Sequence, residues 1–177
     1  MNSRERVLTC FDHRQPDRIP FDLGSVQVTG IHETAYRRLR AALGLPQSAV
    51  NLSDTIQQLA TIEDDLAERL GIDFRGLYPL NSHNWGIEEI DNGAYWAYRD
   101  EWGITHHRPK DGGYYYSIVE VPLPDFGVTE AQIVGHPWPD MGARWRIEGL
   151  RAQADQFRAA GYAVVLKDLR SSVMGVL

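Results

Sequence analysis

The sequence predicts an α/β protein in which helices and strands alternate as in a parallel (β/α) barrel. Three short apolar runs, near residues 19–23, 74–78 and 162–166, are typical of buried strands. Helices or long connections separate them, as parallel crossovers require. A closed (β/α)8 TIM barrel needs eight such units and about 250 residues. The 177 residues therefore predict a partial barrel with about the first three βα units.

The first element is a short amphipathic helix that Ser3 can cap and Pro16 ends. Because Pro20 is tolerated only near the beginning of a strand, this strand should end around Asp22 to Gly24. Parallel α/β folds keep their chemistry at the carboxyl ends of their strands. Two interpretations of Asp22 stay open, namely a functional carboxylate or a side chain that caps the following turn.

Three further helices are predicted from apolar residues at helical spacing, each followed by a glycine. They span about 31–43, 53–70 and 143–160. The first two lie between the first and second strands, and the last precedes the third strand. This order fits βα units.

The segment from 91 to 120 departs from this alternation. Trp96, Tyr98 and Trp102 recur at even spacings before an Asp-Gly-Gly turn and a second apolar run. This pattern predicts a β-hairpin inserted within a single domain over residues 1–177. Its aromatic side chains indicate packing within the hairpin, and the alternative is a lid over a flat apolar ligand.

Composition restricts the classes of partner. The formal net charge is -6, which argues against nucleic acid or an anionic membrane surface. The basic group Arg37, Arg38 and Arg40 lies on a predicted helix and indicates a solvated face. No stretch approaches the ~18 apolar residues of a membrane span, and the N-terminus is charged from Arg4 onward. A cytoplasmic protein is expected.

Side chains that bind metals are few. Cys10 is the single cysteine, so internal disulfides and thiolate clusters are excluded. His106 and His107 are adjacent on a predicted strand, so their side chains should point to opposite faces and cannot chelate one ion together. No metal site and no cofactor are expected in this chain alone.

Seven short segments carry a resemblance to a known family. They are Ser3-Arg-Glu-Arg-Val-Leu8, Pro16-Asp-Arg-Ile-Pro20, Asp22-Leu-Gly24, Gln27-Val-Thr-Gly30, Asp65-Leu-Ala-Glu-Arg-Leu-Gly-Ile-Asp73, Asp100-Glu-Trp-Gly103 and Pro137-Trp-Pro-Asp140. Together and in this order they resemble the uroporphyrinogen decarboxylase-like superfamily, closest to its cobalamin-dependent methyltransferase-like subgroup. The resemblance implies a (β/α)8 barrel, in agreement with the strand count.

The resemblance implies the N-terminal portion of an enzyme of corrinoid-linked methyl transfer, such as demethylation of methoxylated compounds, which is inactive alone. Uroporphyrinogen decarboxylases of this superfamily bind substrate carboxylates through arginines in the loop after the first strand, but residues 24–30 contain none. A substrate with many carboxylates needs cationic partners. Decarboxylation in porphyrin biosynthesis is therefore the first alternative. The second is a non-catalytic binding or assembly module, or a truncated remnant.

For a full-length relative the resemblance implies methylcobalamin and zinc, the zinc held by His and Cys in the second half of the barrel. The implied partners are a small-molecule or corrinoid substrate and a corrinoid protein. A chain that stops after a third strand leaves a strand edge open. Self-association or a complementing C-terminal half is therefore also expected.

Side chains that follow the first two predicted strands form the candidate substrate-binding site. They are Asp22, Gln27 and Thr29 after the first strand, and Asn81, His83 and Trp85 after the second. Both sets should face the mouth of a barrel. His83 can exchange a proton near neutral pH, and the alternative is a loop histidine bonded to backbone. No catalytic residue is assigned.

Overall fold

The computed structural model describes residues 1–80, 89–123 and 126–167 and has a mixed α/β architecture, which confirms the predicted class. The helices are α1 (Ser3–Phe11), α2 (Glu33–Ala42), α3 (Asp64–Leu70), α4 (Glu130–Gly135) and α5 (Leu150–Ala159), with 3-10 turns at Gln27–Thr29 and Arg144–Ile147. The strands are β1 (Leu52–Asp54), β2 (Leu59–Ala60), β3 (Phe74–Leu77), β4 (Ile90–Asn92), β5 (Tyr95–Arg99), β6 (Thr105–Pro109), β7 (Ser117–Glu120) and β8 (Ala163–Leu166).

The chain divides into two compact units. Residues 1–79 and 147–167 form the first, which contains the antiparallel pair β1–β2 and the parallel pair β3–β8. The described residues between 80 and 146 form the second, which contains an antiparallel sheet in the order β4-β5-β6-β7. Most of this sheet comes from residues 91–120, the segment predicted as an inserted hairpin.

The parallel strands β3 and β8 are central to the first unit. Phe74 lies opposite Ala163 and Leu77 lies opposite Leu166, so the strands run in register over four residue pairs. The strands predicted near these positions are confirmed. Helix α5 packs against both strands, and α1 packs against β8.

A small apolar core lies between α2 and α3. Tyr36, Ala60 and Leu66 are almost completely buried there. Partly buried aliphatic side chains surround them, namely Ile31, Leu39, Leu43, Leu45, Val50, Ile62 and Leu70. The helix predicted over about 31–43 is confirmed by α2.

The prediction of a first strand near residues 19–23 is wrong. Residues 19–23 are all described, and they form no β-ladder. Asp73 pairs with this segment instead: its backbone N–H donates to Phe21 O at 2.9 Å, and its carboxylate accepts from the Phe21 N–H at 2.8 Å. Pro20 has no N–H to contribute to a ladder, which explains why pairing stops there.

Two predicted helices are shorter than expected. Within 53–70, the Asp54 carboxylate accepts a hydrogen bond from a following backbone N–H, and Gln58 has a φ of 53°. This turn joins β1 to β2, so the helix begins only with α3. Within 143–160, Gly149 has a φ of 77° and separates a 3-10 turn from α5. A left-handed residue cannot continue an α-helix.

The first helix is capped one residue earlier than predicted. Asn2, and not Ser3, is its N-cap. The Glu5 N–H donates to Asn2 Oδ1 at 2.8 Å, and the Asn2 N–H donates to Glu5 Oε2 at 2.9 Å. This reciprocal pair is a capping box, and it satisfies free amide groups at the start of α1.

Candidate functional site

Three of the quoted segments meet in an ion network at the amino end of β3. The Asp73 carboxylate has no exposed surface and pairs with Arg6 at 2.5 Å and Arg18 at 2.7 Å. Arg6 also pairs with Asp17 at 2.7 Å. Burial acts to raise the pKa of Asp73, but hydrogen bonds from the Phe21 N–H, the Ser3 side chain and the two guanidinium groups outweigh it, and the pKa lies below its usual value. This end of the sheet is therefore occupied by structural contacts.

Polar groups gather at the opposite, carboxyl end of β3 and β8. Lys167 follows β8, and its backbone N–H continues the ladder to Leu77 O at 2.9 Å. Its side chain is buried, with Nζ donating to Ser53 O at 2.5 Å and lying 5.4 Å from the ring centroid of Tyr78. Parallel α/β folds keep their chemistry at this end of the strands.

Tyr78 links the end of β3 to the loop after residue 22. Its hydroxyl donates to Gly24 O. Burial raises the pKa of Tyr78 to about 12, and the charge of Asp22 adds to the rise. The phenol is thus neutral near pH 7. A Cβ at Gly76 would overlap Ser25 O and the Tyr78 ring, so glycine at that position allows the loop to approach the strand.

Asp22 organises this loop. Its Oδ1 accepts from the Ser25 N–H at 3.2 Å, and its Oδ2 accepts from Ser25 Oγ at 2.5 Å and Thr29 Oγ1 at 2.8 Å. Gln27 lies half-buried in the same loop, in the 3-10 turn. The bonds of Asp22 match the turn-capping interpretation. We call Asp22, Ser25, Tyr78 and Lys167 the carboxyl-end cluster.

The cluster only partly overlaps the residues predicted from sequence. Asp22 and Thr29 are brought together, while Asn81, His83 and Trp85 lie outside the described residues. Tyr78 and Lys167 were missed as site residues. The sequence contained a signal for both residues. Tyr78 is the last residue of the strand predicted over 74–78, and Lys167 directly follows the strand predicted over 162–166.

The second unit brings two more of the quoted segments together. The buried Arg146 guanidinium donates to Glu101 Oε2 at 2.6 Å and to Asp140 O at 2.7 Å. The rings of Trp102 and Trp138 lie 6.1 Å apart in an edge-to-face arrangement. These contacts are a buried ion pair, which fixes the positions of its partners, and an aromatic pair, which stabilises this unit.

His106 and His107 point to opposite faces of β6, which confirms the prediction. His106 is buried, stacks on Tyr98 at 4.8 Å and has its Nε2 2.9 Å from Asp100 Oδ2. His107 stacks on Tyr95 at 5.6 Å. Over residues 1–80, 89–123 and 126–167, no group of three or more His, Cys, Asp or Glu is placed to hold a metal ion.

The carboxyl-end cluster combines an ammonium, a neutral phenol, a hydroxyl and a carboxylate in one place. Such a set binds uncharged polar groups by donating and accepting hydrogen bonds. Several of its donors already bond within the protein, which orients them. The arrangement therefore suits binding and positioning of a ligand.

Two observations concern the chain as a whole. In the parts of the chain that the structure describes, no helix combines the length and apolar character needed to cross a membrane. Comparisons with protein-family models, curated proteins and solved structures gave no match to the chain. The site is therefore interpreted from its own geometry.

Proposed function

We propose that this chain supplies the first βα units of a (β/α)8 barrel related to the uroporphyrinogen decarboxylase-like superfamily, and that it takes part in corrinoid-linked methyl transfer. The observation that carries the proposal is the parallel pairing of β3 with β8, which puts Tyr78 and Lys167 at one end of the sheet. The quoted sequence segments support the superfamily.

The order of the strands supports a barrel. The Asp73 N–H donates to Phe21 O, while the Asp73 carbonyl accepts from the Ala163 N–H at 3.0 Å. The start of β3 therefore lies between the 19–23 segment and β8. Consecutive units of a (β/α)8 barrel are neighbours in this same order.

The chemistry of the cluster supports a corrinoid ligand. A corrin ring carries many uncharged amide side chains, and these need hydrogen-bond donors and acceptors more than cations. Methylcobalamin, when bound, supplies the methyl group that is transferred. The role proposed for this chain is to bind and orient the ligand: the Ser25 and Tyr78 hydroxyl oxygens, whose own protons go to Asp22 and Gly24 O, accept from ligand amide N–H groups, and Lys167 donates to a ligand carbonyl.

Porphyrinogen decarboxylation remains the second candidate because of Lys167. Its ammonium is a cation at the carboxyl end of the sheet, where a substrate carboxylate would bind. Its Nζ already donates to Ser53 O at 2.5 Å, which favours a positioning role over the capture of several carboxylates.

Equilibrium dialysis against methylcobalamin and against uroporphyrin tests the two candidates. We expect methylcobalamin to bind, and Tyr78→Phe and Lys167→Met to weaken it about fivefold or more, as loss of a hydrogen bond to a ligand does. Lys110→Met is the control, because Lys110 lies in the second unit beside Trp96. Circular dichroism shows whether each variant folds.

The binding of the two ligands distinguishes methyl transfer from decarboxylation and from a non-catalytic role. Tight binding of uroporphyrin without methylcobalamin would replace methyl transfer by decarboxylation. Binding of neither ligand to the folded wild-type chain would overturn both and favour a non-catalytic module.

A further inference from the structure

A cleft of about 340 Å³ runs along β3 in the first unit. It is bounded by residues 23–25, by residues 61–64, and by α3 and α5. It meets the carboxyl-end cluster at Ser25 and Tyr78 and extends along the strand to Arg75. Its volume lies at the lower end of the range for small-molecule sites, about 300–1,000 Å³.

Six side chains in the wall of the cleft are apolar. They are Leu23, Ile62, Ala67, Ile72, Phe74 and Phe157. Two of the six are aromatic rings, contributed by β3 and by α5. Such a wall favours a ligand with a flat apolar body, because rings stack on or pack edge-on against phenylalanine.

Arg75 contributes a donor that is incompletely used. Its side chain is 8% exposed, and the guanidinium lies 3.8 Å from the ring centroid of Tyr162. Its Nη1 donates to Phe74 O at 3.0 Å. Its buried Nε donates no hydrogen bond to any described residue, and the ion-pair partner Asp64 Oδ1 lies 3.4 Å away. A ligand acceptor at this point would satisfy the Nε–H.

The charges around the cleft favour an uncharged ligand. Glu63 lines it and pairs with Arg40 at 2.8 Å, a guanidinium that it shares with Asp65. The remaining charges, on Arg75 and Asp64, cancel each other. An anion would meet Asp64 and a cation would meet Arg75, whereas a neutral group with one acceptor and one donor can bond to both.

We propose that this cleft binds a flat, uncharged heteroaromatic ring that carries a cyclic amide. The ring carbonyl accepts from Arg75 Nε, and the adjacent ring N–H donates to the Asp64 carboxylate. The apolar body of the ring lies between Phe74 and Phe157. This inference goes beyond the proposed function and does not depend on corrinoid chemistry.

Three bicyclic probes of similar size test the proposal by isothermal titration calorimetry. 2-Quinolone carries the cyclic amide, quinoline lacks it, and quinaldate is an anion. We expect 2-quinolone to bind about tenfold more tightly than either of the others, the ratio expected for one satisfied polar pair. Tighter binding of quinaldate to the wild-type chain, or no binding of 2-quinolone at millimolar concentration, would overturn the proposal.

Asp64→Asn provides the second test. The side chain of Asp64 is 76% exposed, so the variant should keep its fold. We expect weaker binding of 2-quinolone and stronger binding of quinaldate, because the charge of Arg75 is no longer cancelled. Asp155→Asn is the matched control, since Asp155 pairs with arginines on α5 outside the cleft lining. Identical behaviour of the two variants would contradict the proposal.

Discussion

Asp73 joins three parts of the first unit. Its carboxylate has no exposed surface and bonds to Arg6, Arg18 and the Phe21 N–H. We expect Asp73→Asn to reduce the free energy of unfolding by about 3–5 kcal/mol, because two guanidinium groups lose their buried partner. Urea denaturation measures the change.

An exposed ion pair near the same helix provides the control for this variant. Asp12 pairs with Arg14, and both side chains are more than half exposed. Asp12→Asn should change the free energy of unfolding by no more than about 0.5 kcal/mol. Equal effects of the two substitutions would show that the buried network contributes little.

Tyr78 makes stability depend on alkaline pH. The folded pKa, about 12, lies above the ordinary value of 10.0. Its contribution is therefore complete below pH 10 and is lost as the pH rises toward 12. We expect Tyr78→Phe to lose less stability than the wild type over this interval in urea titrations. Parallel losses in both proteins would contradict the burial assigned to Tyr78.

Single residues were predictable only as far as local patterns reach. The turn preferences of aspartate predicted that Asp22 could cap the following turn, and its bonds to Ser25 and Thr29 match that role. The prediction of a solvated face is wrong for Arg40, since its side chain is 3% exposed and bonds to Asp65 at 2.7 Å. Helical spacing cannot show which of three neighbouring arginines meets a carboxylate 25 residues away.

At the scale of elements, the turn at Gly24 controls how the loop meets the sheet. Gly24 has a φ of 79°, and a Cβ there would overlap the side chain of Ile62. We expect Gly24→Ala to lower the free energy of unfolding by about 2–3 kcal/mol, through strain and overlap together. Gly44 has a similar φ of 71°, but an added Cβ there would meet no atom within 4 Å. Gly44→Ala should therefore lower the free energy of unfolding by only about 1 kcal/mol, through backbone strain alone. Thermal denaturation of the two variants checks the difference.

The ends of the elements were the least predictable features. Apolar spacing continued through Gln58 and Gly149, yet both residues adopt left-handed conformations that interrupt the helices. The strand predicted over 19–23 failed for another reason, because Asp73 uses its side chain as well as its backbone to pair with Phe21. Side-chain bonds of this kind carry no periodic signal.

At the scale of the whole molecule, the two units should respond differently to acid. A hydrogen bond from Arg6 lowers the pKa of Asp17 to about 2, and the pKa of Asp73 is also lowered. Folded values below the unfolded value of 3.8 mean that this stability is present above about pH 4 and is lost as the pH falls toward 2. Both carboxylates belong to the first unit.

The positions of the tryptophans make this difference measurable. Trp96, Trp102, Trp138 and Trp145 lie in the described part of the second unit, and the first unit contains no tryptophan in its sequence. Tryptophan fluorescence therefore does not report the first unit, whereas circular dichroism reports both units. On acidification we expect part of the dichroism signal to fall before the fluorescence changes. Coincident transitions would contradict the separate response of the first unit.

The α/β class and the strand pair β3–β8 were predictable because buried strands and amphipathic helices leave a local pattern. The division into two units was not, because it depends on contacts between residues far apart in the chain. The carboxyl-end cluster was predictable only in part, for the same reason. Strand ends indicate Tyr78 and Lys167, but the bond from Lys167 to Ser53 spans 114 positions.

Hydrogen exchange with and without methylcobalamin tests the central claim most directly, since the claim is that ligand binds at the carboxyl ends of β3 and β8. We predict slower amide exchange in residues 22–30 and at the ends of both strands when methylcobalamin is added. Binding that slows exchange only between residues 89 and 146 would contradict the proposed site.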